Sequence, residues 1–314
     1  YELIDYGEEI YFDITYSFRS NPIIAILISN FARIIKNASI KRMLYGNFEP
    51  PATIVDITSM LELLDWTVAV DSFLRTGNPA QIDALSKEKV KQNKQDKDYQ
   101  LIHSLTYQLS ELYNNLATCR GQKFSDEIEG TFRRLWDLAQ IDETTLPQFS
   151  KLVNKIEEKV SIFSGGDESN INDMQKMWGS LIWCYEHGLY QQCLTFMREH
   201  IITFVSNQIG TDVLNYEERE CISWALQHNS GRKEHHSGDV EQLDDGEKQK
   251  KDIEIQVRSL MKKYPALKKY KRIADYRNNI NHADMNKQSM KYRTIVNGIK
   301  ELLEEIKPLF QKSI

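Results

Sequence analysis

The chain has 314 residues, a formal net charge of −5, 41% hydrophobic and 27% charged residues, the balance of a soluble globular protein long enough for two cored domains. The charge argues against a nucleic-acid coat, although it averages over regions that differ greatly. Cys119, Cys184, Cys193 and Cys221 form no C-x-x-C pair, which argues against a zinc ribbon or a disulfide framework and points to the reducing cytoplasm.

Residues 1–60 read as α/β. Ile10 to Thr15 is a short strand, and Asn21-Pro22 opens an apolar helix running to about Asn37, with Pro tolerated in the first turn. Ile40 to Phe48 and Thr53 to Ile57 are further strands. Strand, helix, strand at this spacing is a βαβ unit, usually part of a parallel sheet. One such unit cannot stand alone, so strands ahead of Tyr1 are expected. The apolar run Pro22 to Ile35, broken by Ser29, Asn30 and Arg33, is too short to span a bilayer, and no signal peptide precedes it.

From about Met60 onward helical periodicity takes over, giving a second region at 61–314. Leu61, Leu64, Val68 and Phe73 sit near helical spacing, as do Leu101, Leu105, Leu109 and Leu112. The final helix carries one stripe of Ile295, Ile299, Leu302, Leu303, Ile306 and Phe310. Lys87 to Asp98, Gly165 to Asn172 and Asn229 to Lys251 read as mobile loops. No internal repeat is evident.

Two places offer chemistry. In the first region, Thr15, Tyr16, Ser17, Phe18, Arg19 and Ser20 lie between a strand's C-terminal end and a helix N-terminus, where ligands of open α/β sheets bind. The hydroxyls and Arg19 suit a phosphate, and Tyr16 or Phe18 offers a surface for a base. The plain alternative is that Ser17 or Ser20 caps the helix and Thr15 satisfies the strand end. The stretch is not a glycine-rich dinucleotide fingerprint.

The second place is Arg277-Asn278-Asn279-Ile280-Asn281-His282. An Arg able to hold a phosphate beside a His able to move a proton near neutrality is sufficient to cleave RNA without a metal. The spacing alone is weak, and a surface His near an Arg is the plain alternative. Three features favour chemistry. Asn278 and His282 are one turn apart, so the amide could orient the imidazole. Arg277 lies about 140° around an ideal helix from His282, so the two would flank a cleft. The preceding segment, from Lys248 to Arg272, is nearly one-signed, opposed only by Asp252 and Glu254, and could attract a polyanion, although such runs are usually solvated faces. The remaining histidines have no ligand-like spacing, so no metal is expected.

At these residues the chain resembles the CARF–HEPN ribonucleases that accompany type III CRISPR systems. Tyr276-Arg277-Asn278 through His282-Ala283 resembles the HEPN motif, Asp13-Ile14-Thr15 followed by Phe18-Arg19-Ser20 and an apolar helix resembles the end of the sensor domain, and Tyr45-Gly46 and Glu62-Leu63-Leu64-Asp65-Trp66 are also similar to the family. The sensor's opening strands and first ligand loop are not in this sequence. The resemblance implies an α/β plus all-α fold: the C-terminal part of a Rossmann-like CARF domain at 1–60, then a helical region, 61–314, containing the HEPN domain. It also implies cyclic oligoadenylate as activator, held by the Thr15–Ser20 loop, and single-stranded RNA as substrate. The active site would be a composite across a homodimer or higher homo-oligomer, with Arg277, Asn278 and His282 catalytic and no cofactor required for catalysis. A non-enzymatic nucleotide-sensing dimer that binds RNA or a protein partner is the rival, and a HEPN nuclease needing no ligand is a third option.

Overall fold

A computed structural model describes residues 4–15, 21–139, 147–164, 172–228, 245–283, 285 and 289–310. Strand β1 (Glu9–Asp13), helix α1 (Asn21–Lys36), β2 (Ser39–Asn47) and β3 (Thr53–Asp56) form the α/β portion. Helices follow in chain order: α2 (Thr58–Thr76), α3 (Ala80–Gln92), α4 (Lys97–Ala117), α5 (Gly121–Ala139), α6 (Pro147–Val160), α7 (Asp173–Glu186), α8 (Tyr190–Ile209), α9 (Tyr216–Gln227), α10 (Asp245–Lys263), α11 (Tyr270–Asn281) and α12 (Tyr292–Ile306).

The β1-α1-β2 unit is parallel, with Ile10 opposite Ile40 and Phe12 opposite Met43. β3 departs from the expected parallel sheet and pairs antiparallel to β2, Asn47 opposite Thr53 and Leu44 opposite Asp56. The link between these strands, residues 48–52, is too short for a crossover and makes a hairpin. Helix α1 meets the sheet through small side chains: Ala32 and Ser29 are buried, as is Met43 on β2. The other side of α1 is open, with Ile23, Leu27 and Ile34 at 64%, 65% and 75% exposure. An apolar patch of this kind marks a surface that another element or chain covers. A bidentate pair from Arg33 to Asp65 ties α1 to α2.

One expected loop is largely helical, and the described end of another is helical as well. Residues 87–92 belong to α3, and α4 begins at Lys97 on the Asp96 cap, whose carboxylate accepts from the Asp98 and Tyr99 amides. Lys and Gln are good helix formers, and α3 buries only Ile82, Asp83 and Ser86, so its solvated face shows little apolar period. Residues 245–251 open α10, whose buried positions Ile253, Val257 and Met261 recur every four residues. Its lysines are therefore the solvated face of an amphipathic helix. Residues 165–171 and 229–244 lie outside the described residues. In α2 the buried face is Leu61, Trp66, Ala69, Val70 and Phe73, while Val68 is exposed. The α12 stripe is buried as expected.

The helical core centres on α7 and α8. Phe163 stacks on Trp183, Phe73 meets the same indole at a tilt, and His200 is buried against Phe196. Burial pushes the His200 pKa from its ordinary 6.5 down to about 3. The unfolded chain thus binds a proton below pH 6.5 that the folded chain refuses, so His200 favours the fold fully above 6.5 and progressively less toward pH 3. Half-buried His187, lowered by burial and by the Lys159 charge, acts with the same sign. Urea denaturation is expected to show stability falling by on the order of 3 kcal/mol between pH 6.5 and 4. His200→Gln should flatten much of that slope, and an unchanged slope would remove His200 as its cause.

Candidate active site on the penultimate long helix

The Arg277–His282 segment is carried by α11, which begins after a 3-10 turn at Pro265–Lys269 and packs on α8. The two helices run in opposite senses. Gln191, at the start of α8, donates to Asn281 Oδ1 at 3.1 Å, at the end of α11. At the other end Tyr270 donates to Ser223 Oγ at 2.9 Å, and Arg198 on α8 donates to the same oxygen at 3.0 Å. Tyr270, Ile273, Ala274, Tyr276 and Asn279 form the buried face.

Arg277 is half-buried. Its Nε is enclosed and has no hydrogen-bond partner, and Arg277 makes no ion pair among the described residues. A guanidinium held that way retains donors for an incoming anion. Its charge reaches Cys119: burial raises that thiol's pKa, and a hydrogen bond with Thr195 and the Arg277 charge only partly oppose the rise. Cys119 is therefore a protonated neighbour near neutral pH.

His282 caps the C-terminus of α11, its backbone N–H donating to the Asn278 carbonyl at 3.0 Å. Ala283 follows in the left-handed region (φ 47°), turning the chain away, and His282's carbonyl accepts from the Met285 amide at 2.8 Å. The imidazole is exposed. Asn278 is also exposed, and among the described residues its side chain makes no hydrogen bond to His282. The structured amide is instead Asn279, buried, its Oδ1 accepting from the Met290 N–H at 3.3 Å. Asn279 thereby ties the segment leading into α12 onto α11. Its position three residues beyond buried Tyr276 places an amide on the apolar stripe, the sequence signal that it needs an internal partner.

The other candidate loop is described only at Thr15; Tyr16, Ser17, Phe18, Arg19 and Ser20 lie outside the described residues. Thr15 Oγ1 donates to Asp13 and accepts from the Gly46 N–H at 2.7 Å; the Thr15 hydroxyl and, next, its backbone N–H, both donating to Asp13, hold that carboxyl below its ordinary pKa. The same Asp-Ile-Thr triplet recurs at Asp56-Ile57-Thr58, where Thr58 Oγ1 donates to Asp56 and accepts from the Met43 N–H at 2.9 Å. Two strand ends are thus stapled to β2 by one device, a short repeat that the sequence reading passed over. Thr15 is occupied in this bonding. Gly46 is required there, since a Cβ would lie 2.8 Å from Thr15 Cγ2.

Around the α11 N-terminus, Lys262, Lys263, Lys268 and Lys271 are exposed and form no ion pair among the described residues, whereas Lys269 pairs with Glu305 at 2.5 Å. No group of residues suited to hold a metal occurs among the described residues, and no described helix is long and apolar enough to cross a membrane.

No family model matches the chain. A stretch of 91 residues, 27% of the chain, is 33% identical to CRISPR-associated protein MJ1674 of Methanocaldococcus jannaschii. The match spans about 14% of that protein's length.

Proposed function

We propose that this chain acts in CRISPR defence as a metal-independent endoribonuclease gated by cyclic oligoadenylate, with residues 1–60 part of a CARF sensor and 61–314 containing the HEPN domain. The observation that carries it is Arg277, a half-buried guanidinium that pairs with no anion among the described residues, on the helix that ends in the exposed His282. The similarity to a CRISPR-associated protein supports the setting. The open apolar side of α1 suits the homodimer that a composite site needs.

In this reading the ribose 2′-OH attacks the adjacent phosphorus. His282, or its copy in a second chain, accepts the 2′ proton or protonates the departing 5′ oxygen, an imidazole being able to do either near neutrality. Arg277 stabilises charge growing on the phosphoryl oxygens. Asn278, exposed beside them, contacts phosphate or the imidazole once a second chain closes the cleft. The products are a 2′,3′-cyclic phosphate and a 5′-OH. Lys262, Lys263, Lys268 and Lys271 draw the strand in through its backbone, which makes binding salt-dependent.

The test is an assay in EDTA of single-stranded RNA against the same strand with 2′-deoxyribose throughout, with and without cyclic oligoadenylate. Expected are cyclic-phosphate ends on RNA, no cutting of the deoxy strand, and stimulation by the cyclic ligand. Equal cutting of both strands overturns the 2′-OH mechanism, and cleavage indifferent to every cyclic oligoadenylate overturns the gating. Absence of cleavage with tight ligand binding favours the non-enzymatic sensor.

A further inference from the structure

Beside the α8–α11 contact lies a cavity of about 510 Å³, walled by α5, α7, α8 and the segment at Val213–Arg219. Its volume falls in the range of small-ligand pockets. Phe124, Phe196 and Leu214 give it apolar walls, and Cys119 and Thr195 line it. Cys119 is also the thiol whose pKa the Arg277 charge lowers, against the larger rise from burial.

Two buried polar groups on its walls have capacity to spare. The first is His200, 6% exposed. Ser180 Oγ lies 2.7 Å from the Met177 carbonyl and 2.9 Å from His200 Nε2; with the hydroxyl proton on that carbonyl, Nε2–H is the donor to Ser180. Nδ1 is then an acceptor, without a partner among the described residues. The second is Lys176, 4% exposed, whose ammonium donates to Ser125 Oγ at 2.7 Å and Glu129 Oε1 at 2.6 Å. Asp173 lies at 3.8 Å, beyond hydrogen-bond reach, which leaves one of three N–H donors unspent.

An acceptor and a donor on the wall of a cavity with aromatic sides suit a flat heterocycle carrying both complements on its edge. The geometry points to a nucleobase pocket: a base N–H donates to His200 Nδ1, and a base lone pair accepts from Lys176. The identity of that base as part of the RNA substrate rests on the ribonuclease reading. On that reading the pocket reads a nucleotide beside the scissile phosphate and sets base preference, a role that Arg277 cannot fill because it contacts only phosphate.

The experiment is calorimetric titration of the full chain with each of the four ribonucleosides, for the wild type, His200→Phe and Leu214→Trp. His200→Phe keeps the ring but loses the acceptor. Leu214, 64% exposed at the rim, can be enlarged without touching the core, so Leu214→Trp reports even if the first variant folds poorly. At least one nucleoside should bind saturably, and both variants should weaken it at least about tenfold. No saturation by any nucleoside to about 10 mM, or wild-type binding in Leu214→Trp, overturns the pocket. Blocked nucleoside binding in a chain that cuts no RNA upholds the pocket and sinks the ribonuclease reading. RNA cleavage with no base preference and no nucleoside binding does the reverse.

Discussion

Arg277→Met is expected to lower RNA cleavage by about a thousandfold or more while raising the melting temperature. The activity arm follows from charge: a preorganised donor aimed at a developing oxyanion is worth about 10²–10³ in rate, and a full guanidinium on a phosphoryl oxygen is at the upper end. The stability arm follows from Nε, enclosed and without a partner. A buried unsatisfied donor costs about 1–3 kcal/mol, and Met keeps most of the stem's packing while deleting that donor. For a chain of this size the gain corresponds to a rise of roughly 2–6 °C. His282→Ala separates the two arms. The imidazole is exposed, so its loss should leave the melting temperature within about 1 °C while removing about 10²–10⁴ in rate. Single-turnover cleavage and thermal melts on the same preparations check both. A folded Arg277→Met that cuts at the wild-type rate removes Arg277 from the mechanism, and one that melts several degrees lower makes it a packing residue.

The opposite signs explain why this segment was only half legible beforehand. A sequence shows that Arg277 and His282 coexist at a chemically useful spacing. It does not show that one is half-buried with its Nε enclosed and no anion among the described residues while the other caps a helix end, because that depends on how α8 and α11 pack. The neighbouring amides show the same limit. Asn278 looked like the residue to orient His282, since one turn separates them, yet the packed face of α11 takes Asn279 instead. Elements written in a strong local period were readable: α12 with its apolar stripe, and β1, α1 and β2 with their boundaries within two residues. Segments rich in Lys and Gln were misread as loops because α3 and α10 bury few side chains, and a thin stripe leaves little period to detect. The direction of β3 was legible only through the shortness of its connection. Thr15, read either as a ligand residue or as the residue that satisfies the strand end, has its hydroxyl bonded to Asp13 and Gly46, as the second role asks.

Gly298→Ala is expected to destabilise the fold and slow cleavage together, against the sign that helix propensity alone demands. In the interior of α12, exchanging Gly for Ala should gain about 1 kcal/mol. Here an added Cβ would lie 2.2 Å from Tyr276 Cε2 and 2.5 Å from its hydroxyl oxygen, well inside van der Waals contact. The ring cannot simply swing aside. Tyr276 is 7% exposed, its hydroxyl accepts from Arg272 Nε at 3.1 Å, and the Arg272 guanidinium lies over the ring while pairing with Glu301 at 2.5 Å. Relief must come from parting α11 and α12, and overpacking of this kind costs about 1–3 kcal/mol after any propensity gain. The displaced residue is the immediate neighbour of Arg277, so the guanidinium moves with it, and a misplacement of about 1 Å costs on the order of 10²-fold in rate. Adding Tyr276→Leu to Gly298→Ala removes the ring that the methyl strikes, and should recover part of both losses. A Gly298→Ala chain that is more stable than wild type and fully active would show that α11 does not depend on this contact for its position.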